Sequence, residues 1–120
     1  MTKLFDIAQN WLNQDPDAET HAELTALLTA AKNGDEKAHA ELQARFSDRL
    51  QFGTAGLRGP LQAGSMGMNR VLVAQAAGGL ADYLKGYDKQ PSIVIGYDGR
   101  KNSDVFARDT AEIMAGAGVK

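Results

Sequence analysis

The 120-residue chain contains no cysteine. Disulfides, thiolate zinc sites and a cysteine nucleophile are therefore excluded, and the redox compartment stays open. There is no uninterrupted run of about 18 apolar residues, so the sequence predicts no helix that crosses a bilayer. The longest basic cluster is the Arg100-Lys101 pair, too short for a polybasic membrane patch. A net charge of -2 argues against a nucleic-acid binder, which normally carries a strong basic balance. The opening MTKLFDIAQNWLNQ lacks the apolar centre and small-residue cleavage site of a signal peptide. A cytoplasmic protein with no membrane or nucleic-acid partner is the expected reading. What remains is 43 % apolar and 23 % charged residues, ordinary for a soluble chain able to bury one core.

Residues 1–50 read as helices. Leu4, Ala8 and Leu12 recur every four residues, flanked by Phe5 and Trp11. Asp15 can cap a second helix with Pro16 at its first position. Leu24, Leu27, Leu28 and Ala31 form its apolar stripe, closed by Asn33-Gly34. Asp35 can cap a third helix with Ala38, Leu42, Phe46 and Leu50 on one face. This half carries no chemical constellation. His21 and His39 lie among alanines and glutamates, with no partner at metal or triad spacing, and read as surface histidines.

The composition shifts at Gln51: ten of the thirteen glycines fall between Gly53 and Gly99. A short strand near Phe52 is expected, then a glycine-rich loop to about Met68, where Met66 and Met68 read as packing residues. A helix follows from Asn69 as cap. The run Ser92–Asp98 after Pro91 has the β-branched core of a buried strand. Ser103 can cap a last helix through Met114, with Gly116 and Gly118 as stops. Strand, loop and helix repeating in this order suggest an α/β fold with a largely parallel sheet. Only two strands are visible, few for a mature sheet, and a third is expected to begin at Gly118-Val119-Lys120. The reading is therefore a helical segment over 1–50 and the first part of an α/β/α layer over 51–120, cut from something longer.

Two stretches are candidate sites. In FGTAGLRGPLQAG, residues 52–64, four glycines surround Arg58. Gly53, Gly56 and Gly59 are spaced by three, so the GxGxxG dinucleotide loop is absent; Ser65 stands where the Walker loop needs lysine. What is left is a set of backbone amides, the Thr54 hydroxyl and the Arg58 guanidinium, whose planar fork matches phosphate oxygens. The plainer alternative is a glycine-rich connection with an exposed arginine. The second stretch, IGYDGRKNS, ends the best strand, where open α/β sheets place ligands. Asp98 can hold Arg100 and leave Arg100 or Lys101 facing an anion; the alternative is an Asp-Gly turn with solvated charges.

Together, RLQFGTAGLRG, the following MNR and VIGYDGRKNS resemble the start of the α-D-phosphohexomutases, the phosphoglucomutase and phosphomannomutase family. The match is closest to the branch that opens its first domain with FGTAGLRG, which includes phosphopentomutases. The resemblance covers nearly the whole chain. It implies four domains around a cleft, the first an α/β/α sandwich. It also implies movement of a phosphoryl group between two hydroxyls of a sugar phosphate, using a phosphoserine, Mg²⁺ and a sugar-bisphosphate intermediate. By the same resemblance Thr54 and Arg58 face phosphate, with Gly53, Gly56, Asp98 and Arg100 supporting them.

The departures are equally specific. The family's nucleophile sits in a TASHNP-type motif, and Ser47, Ser65, Ser92 and Ser103 all have other surroundings. The DGDxDR metal loop is also missing, so no catalytic or metal-binding residue is assigned. The expectation is an inactive amino-terminal piece of a mutase, with the parent's remaining domains as partners and self-association when isolated. The alternative is a non-catalytic sugar-phosphate-binding module that has lost its nucleophile.

Overall fold

The computed structural model describes residues 2–53 and 56–120. Their element order is α1 (Thr2–Gln14), α2 (Ala18–Lys32), α3 (Glu36–Arg45), β1 (Phe52–Gly53), β2 (Gly56–Leu57), α4 (Arg70–Tyr87) and α5 (Ser103–Gly116). The chain divides into two compact units, 1–72 and 73–120.

In the first unit three amphipathic helices bury the expected stripes, except that α3 ends at Arg45, so Leu50, expected on its face, packs on the core from beyond the helix. Ala8, Trp11 and Leu12 of α1 meet Leu24, Leu28 and Ala31 of α2 and Ala38 and Leu42 of α3 in one core. Leu24 and Leu42 are wholly buried, so truncating either to alanine is expected to cost about 2–5 kcal/mol. Trp11 packs edge-on against Phe46, the ring centroids 5.6 Å apart. Asp35 caps α3 as the sequence suggests, accepting from the Ala38 amide at 3.1 Å. The start of α2 differs from expectation. Asp17, not Asp15, is the cap, accepting from the Glu19 amide. Asp15 is buried one step earlier, where it accepts from the Asp17 amide at 2.9 Å and the Thr20 hydroxyl at 2.5 Å. Two adjacent carboxylates thus share a corner that one cap was expected to hold.

Arg45 fastens this unit. Its guanidinium donates to Glu23 on α2 and, at 2.9 Å, to Glu41 one turn back. Burial opposes the charge, but hydrogen bonds and attraction from both carboxylates outweigh it and hold the arginine above its ordinary pKa. The Arg45 carbonyl accepts from the Met66 amide at 3.0 Å, tying the glycine-rich segment to the end of α3.

In the second unit Ala77 and Ala81 of α4 pack with Met114 of α5 and with Val119. The left-handed cap of α5 is Asn102 at φ 67°, and it makes no side-chain cap bond. Ser103, expected as that cap, donates its hydroxyl to Asp98 instead. Gly118, at φ +90°, ends the helix as predicted.

The strand expected over 92–98 is extended chain without a regular ladder. Ile93 donates to the Lys120 carbonyl at 2.8 Å and Lys120 donates to the Pro91 carbonyl at 3.1 Å. One residue bonding to both neighbours of Ser92 is the pattern of a parallel rung. Beyond it no strand among the described residues pairs with 94–97, and Val94, expected to be buried, is 97 % exposed. The β structure of the described residues is the two-residue antiparallel hairpin β1–β2 with an isolated bridge between Leu61 and Met68. The three-layer sandwich is thus not formed by these residues themselves: a strand needs neighbours on both sides and cover on its faces.

Candidate functional site

The hairpin sets the first candidate site. Phe52 pairs with Leu57 and Gly53 with Gly56 in an antiparallel register; Thr54, one of the expected site residues, and Ala55 lie outside the described residues. Arg58 follows the second strand directly and is exposed. No carboxylate among the described residues pairs with its guanidinium, whereas Arg45 and Arg100 are both engaged. An exposed arginine next to a strand pair, without a carboxylate partner among the described residues, can offer its whole fork to an anion.

The back of the same segment is held by a residue that the sequence marked only as a helix cap. Asn69 is 2 % exposed. Its Oδ1 accepts from the Leu72 amide at 2.9 Å, which is the expected cap. Its Nδ2 donates to the carbonyls of Gln62 at 2.7 Å and Gly64 at 2.8 Å, with Gly67 at 3.3 Å sharing a hydrogen. One side chain therefore starts α4 and gathers the loop that precedes it. Met68 adds a bond to the Pro60 carbonyl, Leu50 one to Ser65, and the Ser65 hydroxyl one to Asp48.

Two of the glycines have their reason inside the protein. Gly64 sits at φ +104°, and a Cβ there would lie 2.8 Å from the Arg45 carbonyl oxygen; at Gly67 it would lie 2.4 Å from that of Gln62. Neither distance is tolerable, so these positions serve the approach of backbone to backbone. The glycine density of 52–64 is thus only partly available for ligand approach: Gly53 and Gly56 lie in the hairpin, while Gly64 belongs to the packing. Met68 packs against the first core, as expected for a packing methionine.

The second candidate site lies in the second unit. Asp98 Oδ1 accepts from the Arg100 amide at 3.1 Å and the Ser103 hydroxyl at 2.8 Å, and Oδ2 accepts from Arg100 Nε at 2.8 Å. The Ser103 hydroxyl bond, then the Arg100 amide and the Arg100 charge, hold this carboxyl below its ordinary pKa. Arg100 spends only Nε on Asp98, and its side chain is otherwise exposed. Beside it opens a cleft of about 330 Å³ whose apolar wall is Ile95, Tyr97 and Phe106 and whose polar rim includes Ser103 and Thr110. The expectation that Asp98 positions Arg100 matches this geometry. The aromatic wall was not anticipated, although Phe106, three residues after Ser103 on α5, faces the same direction as the helix start.

Among the described residues no group of three or more histidine, aspartate or glutamate side chains is placed to hold a metal ion. The magnesium implied by the resemblance therefore has no ligand set among the described residues. No described helix is long and apolar enough to cross a membrane. His21 is exposed as expected. His39 departs from expectation: it is half-buried, its Nε2 is buried without a partner, and it meets Phe5 edge-on at 6.0 Å.

The geometry on its own names no ligand. Comparison with known proteins makes the assignment. The family model described as phosphoglucomutase/phosphomannomutase, alpha/beta/alpha domain I, matches residues 49–120. The chain belongs to that family. A probable phosphomannomutase of Haemophilus influenzae is 94 % identical over 55 residues, which cover 46 % of this chain and 11 % of that protein. A phosphoribomutase of Saccharomyces cerevisiae is 42 % identical over 118 residues, 98 % of this chain and 18 % of that protein. A phosphoglucomutase of Staphylococcus haemolyticus is 43 % identical over 75 residues, 62 % of this chain and 14 % of that protein. No solved structure gives a significant match. The chain thus spans less than a fifth of the length of these relatives.

Proposed function

We propose that the chain is the amino-terminal part of a sugar-phosphate mutase, with 1–50 as a helical lead-in and 51–120 as the first part of its α/β/α domain. In this reading Arg58 neutralises phosphoryl oxygens of the phosphoserine or of the sugar phosphate. The Thr54 hydroxyl and the backbone at Gly53 and Gly56 complete the cradle. Phosphoryl transfer asks chiefly for positioning and charge neutralisation, and the Arg58 guanidinium supplies the charge. Asp98 holds Arg100 as supporting charge. The nucleophile falls to the rest of that first domain, and the Mg²⁺ ligands and the binding of the sugar-bisphosphate intermediate fall to the parent's remaining domains, the chain's natural partners, so the chain alone turns over no substrate.

The observation that carries this reading is Arg58 itself, exposed and unpaired directly after the hairpin. The test is calorimetric titration of the chain with glucose 1,6-bisphosphate. Saturable binding is expected, weakened about ten-fold or more by Arg58→Ala, the scale of a lost charge-assisted bond. Unchanged affinity in that variant would remove Arg58 from the site. A coupled assay with glucose 1-phosphate separates the alternative roles: turnover by the chain alone would overturn the assignment of the nucleophile to a part of the parent outside these residues.

A further inference from the structure

The first unit carries a groove that the mutase reading does not use. It measures about 380 Å³, within the usual range of small-ligand sites, and lies along α1 and α3. Leu4, Ile7 and Phe46 give it an apolar lining, while Lys3, His39, Gln43 and Ser47 give it donors. No acidic side chain lines it. His39 is the informative member. Its Nε2 has neither solvent nor a hydrogen-bond partner, and buried donors are almost always paired. An Nε2–H would be stranded there, whereas a bare lone pair is the cheaper orphan. The neutral imidazole is therefore expected to carry its proton on Nδ1, which turns its one donor away from the buried side of the ring.

We propose that this groove binds a small organic anion, its acidic head held by His39 Nδ1–H and the Lys3 ammonium and its short apolar body lying on Leu4, Ile7 and Phe46. The charge pattern selects the head: two nitrogen donors, one of them cationic, and no carboxylate in the lining. The apolar floor selects the body. A sugar phosphate fits poorly, because its hydroxyls would have to desolvate against Ile7 and Phe46.

Trp11, the chain's one tryptophan, packs on Phe46 and so reports on the groove floor. Sodium hexanoate titrated into the chain is expected to change its fluorescence saturably, with 1-hexanol binding more weakly. Lys3 is exposed, so Lys3→Glu leaves the core untouched, and His39→Phe keeps an aromatic ring; each is expected to weaken hexanoate by about ten-fold or more, the scale of one hydrogen bond to a charged group. No saturation, equal affinity for hexanol, or indifference to both substitutions would overturn the proposal. The imidazole nitrogen NMR spectrum in alkaline buffer needs no variant. It should show the Nδ1–H form, and a dominant Nε2–H form would refute the assignment of the donor.

Discussion

Replacing Asn69 tests the claim that one side chain both starts α4 and closes the glycine-rich segment. The cap bond from Oδ1 to the Leu72 amide is worth about 1 kcal/mol. Loss of Nδ2 leaves the Gln62 carbonyl without its donor, and a carbonyl stranded in a partly buried site costs about 1–3 kcal/mol. The Gly64 carbonyl is less affected, because it still accepts from the Gly67 amide at 3.1 Å. Asn69→Ala should therefore destabilise the first unit by about 2–4 kcal/mol. A unit ending at Leu72 has a total stability of roughly 4–11 kcal/mol, so the substitution consumes a large share of it. The expected fall in melting temperature is roughly 10–30 °C.

Urea unfolding followed through Trp11 fluorescence reads the first unit directly, because Trp11 lies in its core. Two further variants separate cap from clasp. Asn69→Ser keeps an oxygen for the cap and loses the clasp, so it should recover about 1 kcal/mol relative to alanine. Asn69→Asp also keeps the cap, but it sets a carboxylate against the carbonyls of Gln62 and Gly64 and should be no better than alanine. A loss below about 1 kcal/mol for Asn69→Ala, the value of the cap alone, would refute the clasp. So would an aspartate variant as stable as the parent.

Gly64→Ala and Gly34→Ala form a matched pair. Both glycines have positive φ, but a Cβ at Gly34 meets nothing within 4 Å while one at Gly64 meets the Arg45 carbonyl at 2.8 Å. Gly34→Ala should cost roughly 1–2 kcal/mol, and Gly64→Ala a further 1–3 kcal/mol or so for the collision; equal costs in urea unfolding would show that the loop yields freely. For Asp98, the bonds from Ser103 and Arg100 place the folded carboxyl below its ordinary value of 3.8. Its contribution to stability is therefore present above that value and is lost as the pH falls through the lower, folded one. An NMR titration should find the midpoint below 3.8, and Ser103→Ala should raise it; a midpoint that ignores Ser103 would discard the hydroxyl as the main cause. Val94, 97 % exposed between Ile93 and Ile95 on an unpaired edge, is expected to promote self-association of the isolated chain. Light scattering should show Val94→Lys to be less associated than the parent, and a parent that stays monomeric at high concentration would count against an exposed sticky edge.

What the sequence made legible follows the range of the interactions. The stripes of α1 and α2, the first half of the α3 stripe and the Asp35 cap depend on residues within a turn or two of one another, and they stand as read. Asn69 was legible as a cap for the same reason, through Leu72 three residues away. Its second role was not, because the Gln62 and Gly64 carbonyls come to it only after the loop has closed back toward Arg45. The cap of α2 slipped from Asp15 to Asp17 for a related cause: Thr20, five residues on, bids for the first carboxylate and draws it inward. The run at 92–98 shows the opposite limit. Ile93, Val94 and Ile95 have the composition of a central strand, but a strand's burial is a property of its neighbours, and one parallel rung to Lys120 covers none of the faces. The candidate site divides along the same line. Arg58 and the Asp98–Arg100 corner follow from short motifs. The burial of His39 and the aromatic wall at Phe106 depend on packing between segments, where no local pattern announces them. Glycine was the most ambiguous letter. The same residue type can serve ligand approach or backbone packing, and at Gly64 the use is packing, because the Arg45 carbonyl lies against it.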